Sequence, residues 1–469
     1  MTAAGAIIGK DWREFTRDRR LMVMAGLVIL LALAAVVTSF ARVSAYETDR
    51  QATERRDRTT WESQGARNPH SVAHFSTWAL RPLTPLALLE PGVTPYAGSA
   101  IWMEAHNQNP ARARAVEDAA SAFDLGSFSL AWVLQVIAPL LIFVIAAGTV
   151  ARERERGTLR LMLASGFSVR AIVPHKALGT VRTASMLVAP VLMIGVIASL
   201  ILGVAEPLRL VLWIAAYALF LVIVAVIAVA VSALCRTTSQ AMLALVSIWL
   251  LAMLIAPRAG AAIGIAAAPV PTPDQFFAAM AADMAKQPDV FGDGAAAFGA
   301  AMAKRYGVAK VEDLPVSFAG LQLDEGERHG NIVFDRHFGA LANTYAAERS
   351  AMRWAGLISP LPAVQNVSMA LAGTDMAHQL AFQTQAEAHR RKLIGLLNRD
   401  MVDHAKGTDF DYRSGPALWR KTADFRFVPP PIGTAIAAIV PDIAILVGWL
   451  IAAMALLGWS ARRLEADDI

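Results

Sequence analysis

Charge is scarce in this chain. Asp, Glu, Lys and Arg make up 17% of the 469 residues, against 56% hydrophobic residues. Soluble domains carry nearer a quarter charged residues, so the deficit excludes both an ordinary water-soluble globule and a disordered chain, and it calls for surface that faces lipid. Cysteine is scarcer still. A lone Cys235 can close no intrachain disulfide, which excludes a disulfide scaffold. No GxxxxGK[ST] run occurs, so the chain has no phosphate loop with which to hold ATP itself. No nucleophile and base stand at a recognisable catalytic spacing, and the chain is read as a non-enzyme with no catalytic, cofactor-binding or metal residues of its own. Repeats with a period of about 20 to 50 residues are absent as well. Within the apolar runs the only acidic residue is Asp442, just after Pro441. A proton- or sodium-coupled carrier needs intramembrane carboxylates. At the end of its run Asp442 is expected to reach interfacial water or to cap a helix.

What is abundant is long apolar runs. Six stretches can cross about 30 Å of hydrocarbon as helices: Leu21 to Phe40, Phe128 to Val150, Thr183 to Leu202, Leu210 to Leu234, Ala241 to Pro257 and Pro441 to Trp459. The first resembles a signal peptide with a small-residue site at Val43, Ser44 and Ala45, but it is longer than the apolar region of such a peptide and is read as a span. Basic residues cluster in Lys10 to Arg20, Arg152 to Arg182, at Arg236 and at Arg462 and Arg463. The rule that such clusters stay in the cytoplasm puts these segments and both termini inside. The net charge of +5 is then a topology signal and not a nucleic-acid footprint. Arg209, near the short outer turn, is the counterexample and is expected to snorkel to headgroups.

The expected organisation is an interfacial helix over 1–20, span one over 21–41, a first extracytoplasmic domain over 42–126 and span two over 127–150. A cytoplasmic loop over 151–182, spans three to five over 183–257, a second extracytoplasmic domain over 258–431, and span six with a tail over 432–469 complete it. The fold class is all-α: a polytopic membrane protein with six transmembrane helices, an N-terminal interfacial helix and two mostly helical extracytoplasmic domains. In the second of these, Pro271-Thr272-Pro273-Asp274 offers a cap for a helix from Gln275, and Asp375 offers one for a helix running through His404.

Two segments stand out for mechanism. Ile8, Trp12 and Phe15 share one helical face opposite Lys10, Arg13, Arg17 and Arg20, the pattern of a helix lying in the inner leaflet and touching membrane lipids. The connection from Ala151 to Arg182 joins an alternating-charge run, Glu153-Arg154-Glu155-Arg156, to Gly157-Thr158-Leu159 and an apolar Leu161-Met162-Leu163 patch. A turn at Ser165-Gly166 follows, then Phe167, and Ser168 as the cap of a short helix that Pro174 should bend or end. Exposed apolar side chains rimmed by charge suit a partner's groove; a connector whose Arg residues anchor headgroups fits the same residues.

The run Glu153-x-Glu155-x-Gly157-Thr158-Leu159, followed by Ser168-x-Arg170-x-Ile172 and Lys176, resembles the cytoplasmic signature of ABC type-2 transporter permeases. Pro257-Arg258, Pro271-Thr272-Pro273, Ser359-Pro360-Leu361, the Ser368 to Asp375 stretch and the Glu387 to Arg391 helix resemble a subfamily of these permeases. Its members carry a large extracytoplasmic domain of unknown function between spans five and six, akin to the permeases of gliding motility and of nitrous oxide reductase maturation. The resemblance implies the membrane subunit of an ATP-driven exporter in the bacterial inner membrane, with an ABC ATPase dimer as partner and a second permease, the same chain or a related one. ATP and Mg would sit on the ATPase. The coupling surface toward it would comprise Glu153, Glu155, Gly157, Thr158, Leu159, Leu161, Leu163, Phe167 and Arg170. The alternative is a subunit that relays ATPase motion to periplasmic partners without moving a substrate.

Weaker patterns are read as structural. His70 and His74 have the i, i+4 spacing of a zinc pair, but no carboxylate completes an HExxH pattern, and Pro69 and Pro82 put a helix there in question. His329, Asp335 and His337 are read as hydrated surface residues, and the Asn366-Val367-Ser368 sequon as structural.

Overall fold

Runs with almost no charge and no exposed polar backbone satisfy themselves in lipid only as helices. The computed structural model describes residues 9, 13, 16–75, 77–114, 128–408 and 410–468. Among these it has six helices long and apolar enough to cross a membrane: Leu21–Glu62, Leu130–Glu155, Val169–Ile201, Pro207–Leu234, Thr238–Ala267 and Ile432–Ala466, numbered here as spans one to six. Val23, Leu27, Leu30, Leu243 and Ile451 are exposed, as lipid-facing residues should be. Ile8, Trp12 and Phe15 lie outside the described residues.

Span four is the hub. Trp213, Tyr217, Phe220, Ile223 and Val229 bury faces all round it, against spans two, three and six. Prolines leave a consistent signature. Val133–Ile137 in span two and Leu250–Ile255 in span five are π-turns, and each precedes a proline, Pro139 or Pro257. The wider turn accommodates a residue that can neither donate nor approach the preceding carbonyl. Carbonyls in these turns find partners on neighbours: Trp249 Nε1 donates to Val136 O (2.9 Å) and Ser359 Oγ to Ala252 O (2.8 Å). In span three Pro174, expected to bend or end a short helix, does not end it. It forfeits one bond, and burial of Ile172, Val173, Lys176 and Ala177 carries the helix through.

Span one has 42 residues, about 63 Å at the helical rise, and so runs on beyond any bilayer into a polar head. There the first polar segment adds the short helix α1 (Pro69–His74) and an antiparallel sheet, β1 (Thr77–Leu80), β2 (Ala100–Glu104) and β3 (Asn107–Gln108), in the order β1-β2-β3. This sheet departs from the all-α expectation. Residues 100–104 are only five long and carry no clean alternation, so their strand character comes from pairing Leu80↔Ala100 through Thr77↔Met103. At the other end of span two the chain turns through α2 (Ala151–Glu155) and α3 (Thr158–Ala164) into span three.

The second polar segment supplies α4 (Phe318–Arg353), α5 (Pro360–Ala372) and α6 (Met376–His404). Two expected caps are present: Thr272 and Gln275 form a capping box, and Asp375 accepts from His378 N at the start of α6. The two polar segments form one head and not two separate domains. Ala79, Ile101 and Met103 of the sheet pack with Phe382 and Ala386 of α6, and Trp61 donates to Trp419 O (3.1 Å) and Thr422 Oγ1 (2.7 Å). Nor does 258–431 stay clear of the bundle. Helix α5 packs between spans four and six, and Leu86, Leu88 and Leu89 from the first segment join the same core.

Candidate functional site

At the end of the bundle opposite the head, α2 and α3 form a braced elbow. Span two breaks at Gly148, and Ser232 of span four bridges the break: its Oγ accepts from Val150 N and Ala151 N (both 3.1 Å) and donates to Ala147 O (2.8 Å). Glu153 is buried. Lys176 Nζ of span three lies 3.3 Å from its Oε1, and Thr158 donates to its other oxygen. Glu155 Oε2 accepts from Thr238 N (3.0 Å) and Thr238 Oγ1 (2.8 Å), which ties the elbow to the start of span five. Gly157 makes the turn at φ 74°, a left-handed conformation that a Cβ disfavours.

The nine expected coupling residues do not form one outward surface. Glu153, Thr158 and the buried Leu159 brace the elbow from inside, Glu155 braces it from its exposed surface, and Gly157 is the turn itself. Leu163 and Phe167 are half-buried against the bundle, so the apolar patch is narrower than the sequence suggests. Leu161 is the apolar side chain offered outward, 67% exposed, flanked by exposed Arg156 and Arg160. Arg170 is exposed and pairs with Glu465 of span six at 2.9 Å. Ser168 stands at the cap position of span three, without a side-chain cap bond. The brace Ser232 was invisible to sequence reasoning because it belongs to another span; Lys176 was part of the motif, but its partner was not evident.

At the head end, a second polar cluster lies inside the bundle. Glu90 Oε2 accepts from Ser368 Oγ (2.8 Å) and Gln135 Nε2 (3.1 Å), and its Oε1 accepts from Gly92 N (3.2 Å). Ser368 Oγ in turn accepts from Trp213 Nε1 (2.8 Å) and Tyr217 OH (3.0 Å), which uses its full capacity. Gln135 sits in the π-turn of span two and also bonds Tyr217 OH (2.7 Å) and Gln365 Nε2 (3.1 Å). Tyr217 is ten residues past Pro207, about 15 Å along span four, so this cluster is set into the bundle. Glu90 lies in a polar segment by sequence, and only the fold brings it here.

Two charges behave otherwise than expected. Asp442 is 1% exposed, paired with Arg353 of α4 (3.2 Å) and bonded to Asn366 of α5 (2.9 Å); it neither meets water nor caps a helix, because span six begins ten residues earlier. Arg209 does not snorkel. It is buried beneath the head, pairing with Glu206 and donating to Pro430 O (2.7 Å) and Ala370 O (3.3 Å). Of the other weak patterns, His337 bonds Asp283 at 3.0 Å, while Asp335 pairs with Arg391 at 2.7 Å, so they do not form one cluster.

Among known proteins, a family model described as a domain of unknown function (DUF3526) matches residues 282–428, which takes in α4, α5 and α6. No curated protein and no solved structure matches the chain.

Proposed function

We propose that this chain is the permease subunit of an ATP-driven ABC exporter in a bacterial inner membrane, with both termini and the elbow in the cytoplasm and the head outside. It moves a substrate out of the cytoplasm or the membrane by the work of a separate ATPase. The observation that supports this reading is the braced elbow. Bonds to spans three, four and five make α2 and α3 continuous with the bundle, while Leu161 and its basic rim stay free to enter a partner's groove. A push on a part so held moves several spans together. A conformational change driven by ATP needs a partner whose affinity differs between two states, and such an elbow transmits that difference.

Leu161→Asp tests the reading. An unpaired carboxylate in a partner's groove costs roughly several kcal/mol, so the complex with its ATPase should dissociate or lose coupled ATP hydrolysis while the chain still inserts. Wild-type co-purification and activity would overturn it, as would ATP hydrolysis by the purified single chain. Native mass measurement should find two permease chains with two ATPases.

The alternative of a subunit that relays motion without carrying a substrate has one feature in its favour: span one is a single helix from the bundle into the head, a stiff connection between the two. Sealed vesicles separate the readings. ATP-dependent substrate movement supports export, and hydrolysis with none supports relay.

A further inference from the structure

Three histidines from two elements of the head converge on one point. His70 and His74 lie one turn apart on α1, whose start the sequence left in question. Pro69 is tolerated at its first position, and Asn68 Oδ1 accepts from His70 N (2.8 Å) and Ser71 N (3.1 Å). His106 arrives from the two-residue turn Ala105-His106 between β2 and β3, closed by the pair Glu104↔Asn107. Its φ is 65°, where a turn ordinarily employs Gly or Asn.

The ring nitrogens are spaced for an ion. His74 Nε2 is 3.1 Å and His106 Nε2 3.5 Å from His70 Nε2, and each of the three residues offers a nitrogen within 4.8 Å of the others. Zinc bonded to imidazoles at about 2.0–2.1 Å in a tetrahedron separates the nitrogens by about 3.3 Å. Behind His106, Glu327 Oε1 of α4 lies 3.0 Å from Nδ1, and Glu327 is itself paired with Arg390 at 3.0 Å. With Nδ1–H donated to that carboxylate, Nε2 presents a bare lone pair toward His70. One N–H···N bond links the facing Nε2 atoms of His70 and His74, and leaves the His106 lone pair facing another nitrogen, while the buried His70 Nδ1 has no hydrogen-bond partner among the described residues. A carboxylate behind a ligating imidazole is the usual support of a metal-bound histidine, since it fixes tautomer and ring orientation.

We propose that His70, His74 and His106 form a three-imidazole site for a divalent transition metal of the zinc class, with Glu327 holding His106. His74 is exposed, so the fourth position opens to solvent, where a water or a small anion completes the tetrahedron. The ion fastens α1 to the β2–β3 turn and, through Glu327, to α4. None of this depends on the transport reading.

The test uses the full chain in detergent, untagged and stripped of metal with a chelator, titrated calorimetrically with Zn²⁺ and spectroscopically with Co²⁺. The wild type should bind one ion per chain and give the visible bands of four-coordinate cobalt. His74→Ala should weaken binding at least tenfold, and Glu327→Gln about tenfold without changing the stoichiometry. His106→Gly relieves the left-handed backbone, so it should unfold no earlier than the wild type when metal-free, yet lose the ion. His404→Ala should bind as the wild type does. No saturable Zn²⁺ binding by the wild type, or unchanged binding in His74→Ala and His106→Gly, would overturn the assignment.

Discussion

Lys176 and Glu153 meet at 3.3 Å as a buried ion pair, with side chains 2% and 8% exposed. Removing one partner of a buried pair takes its attraction from a charge that water hardly reaches. Lys176→Met should therefore cost about 3 kcal/mol, and adding Glu153→Gln should recover much of it; thermal unfolding in detergent measures both. Asp375 gives a pH dependence. Burial pushes its carboxyl up, but the bonds from the His378 ring and backbone N hold it below the ordinary aspartate range. A carboxylate lowered in the folded state contributes stability above its unfolded pKa of about 3.9, and that contribution is lost as the pH falls below it. Asparagine keeps the cap but not the charge. Asp375→Asn should be less stable at neutral pH and lose less stability on acidification, as unfolding followed from neutral pH down to about two units below that reference value would show.

Elements dock here through close backbone approach. The loop carrying Glu90 turns at Gly92, with φ 52°, where an added Cβ would fall 2.4 Å from Thr374 O at the end of α5. Strain and overlap act together, so Gly92→Ala should destabilise the chain by roughly 2 kcal/mol or more. The same change should displace Glu90 from Ser368. Its Tm should fall further than that of Gly157→Ala, which meets no atom within 4 Å and bears only the left-handed φ of 74°.

For the whole molecule, the proposed topology puts the head and the elbow on opposite faces of one membrane. In a Cys235→Ser background, an impermeant thiol reagent should label cysteines placed at Ala301 and Ser71 from one side and at Ser168 only from the other. Labelling of all three from one side would rule out the six-span arrangement. All three positions are exposed, so the outcome reports sidedness and not burial.

Residue type and run length were enough to determine six spans, because a charge-free stretch of about 20 residues has one stable state in lipid. The helix starts at Thr272 and Asp375 were legible for a related reason: a cap acts within three residues of chain. The turn at Gly157 was equally local. What only the tertiary structure decided involves partners far apart in sequence. Glu90 and Ser368 are 278 residues apart, Trp61 and Trp419 358, and His106 and Glu327 221. The sequence alone marked Asp442 as an end-of-helix charge and Arg209 as a headgroup anchor, since it could not show Arg353 and Pro430 waiting beside them. Burial of charge is settled by long-range neighbours, and composition and periodicity report only the chain within a few turns.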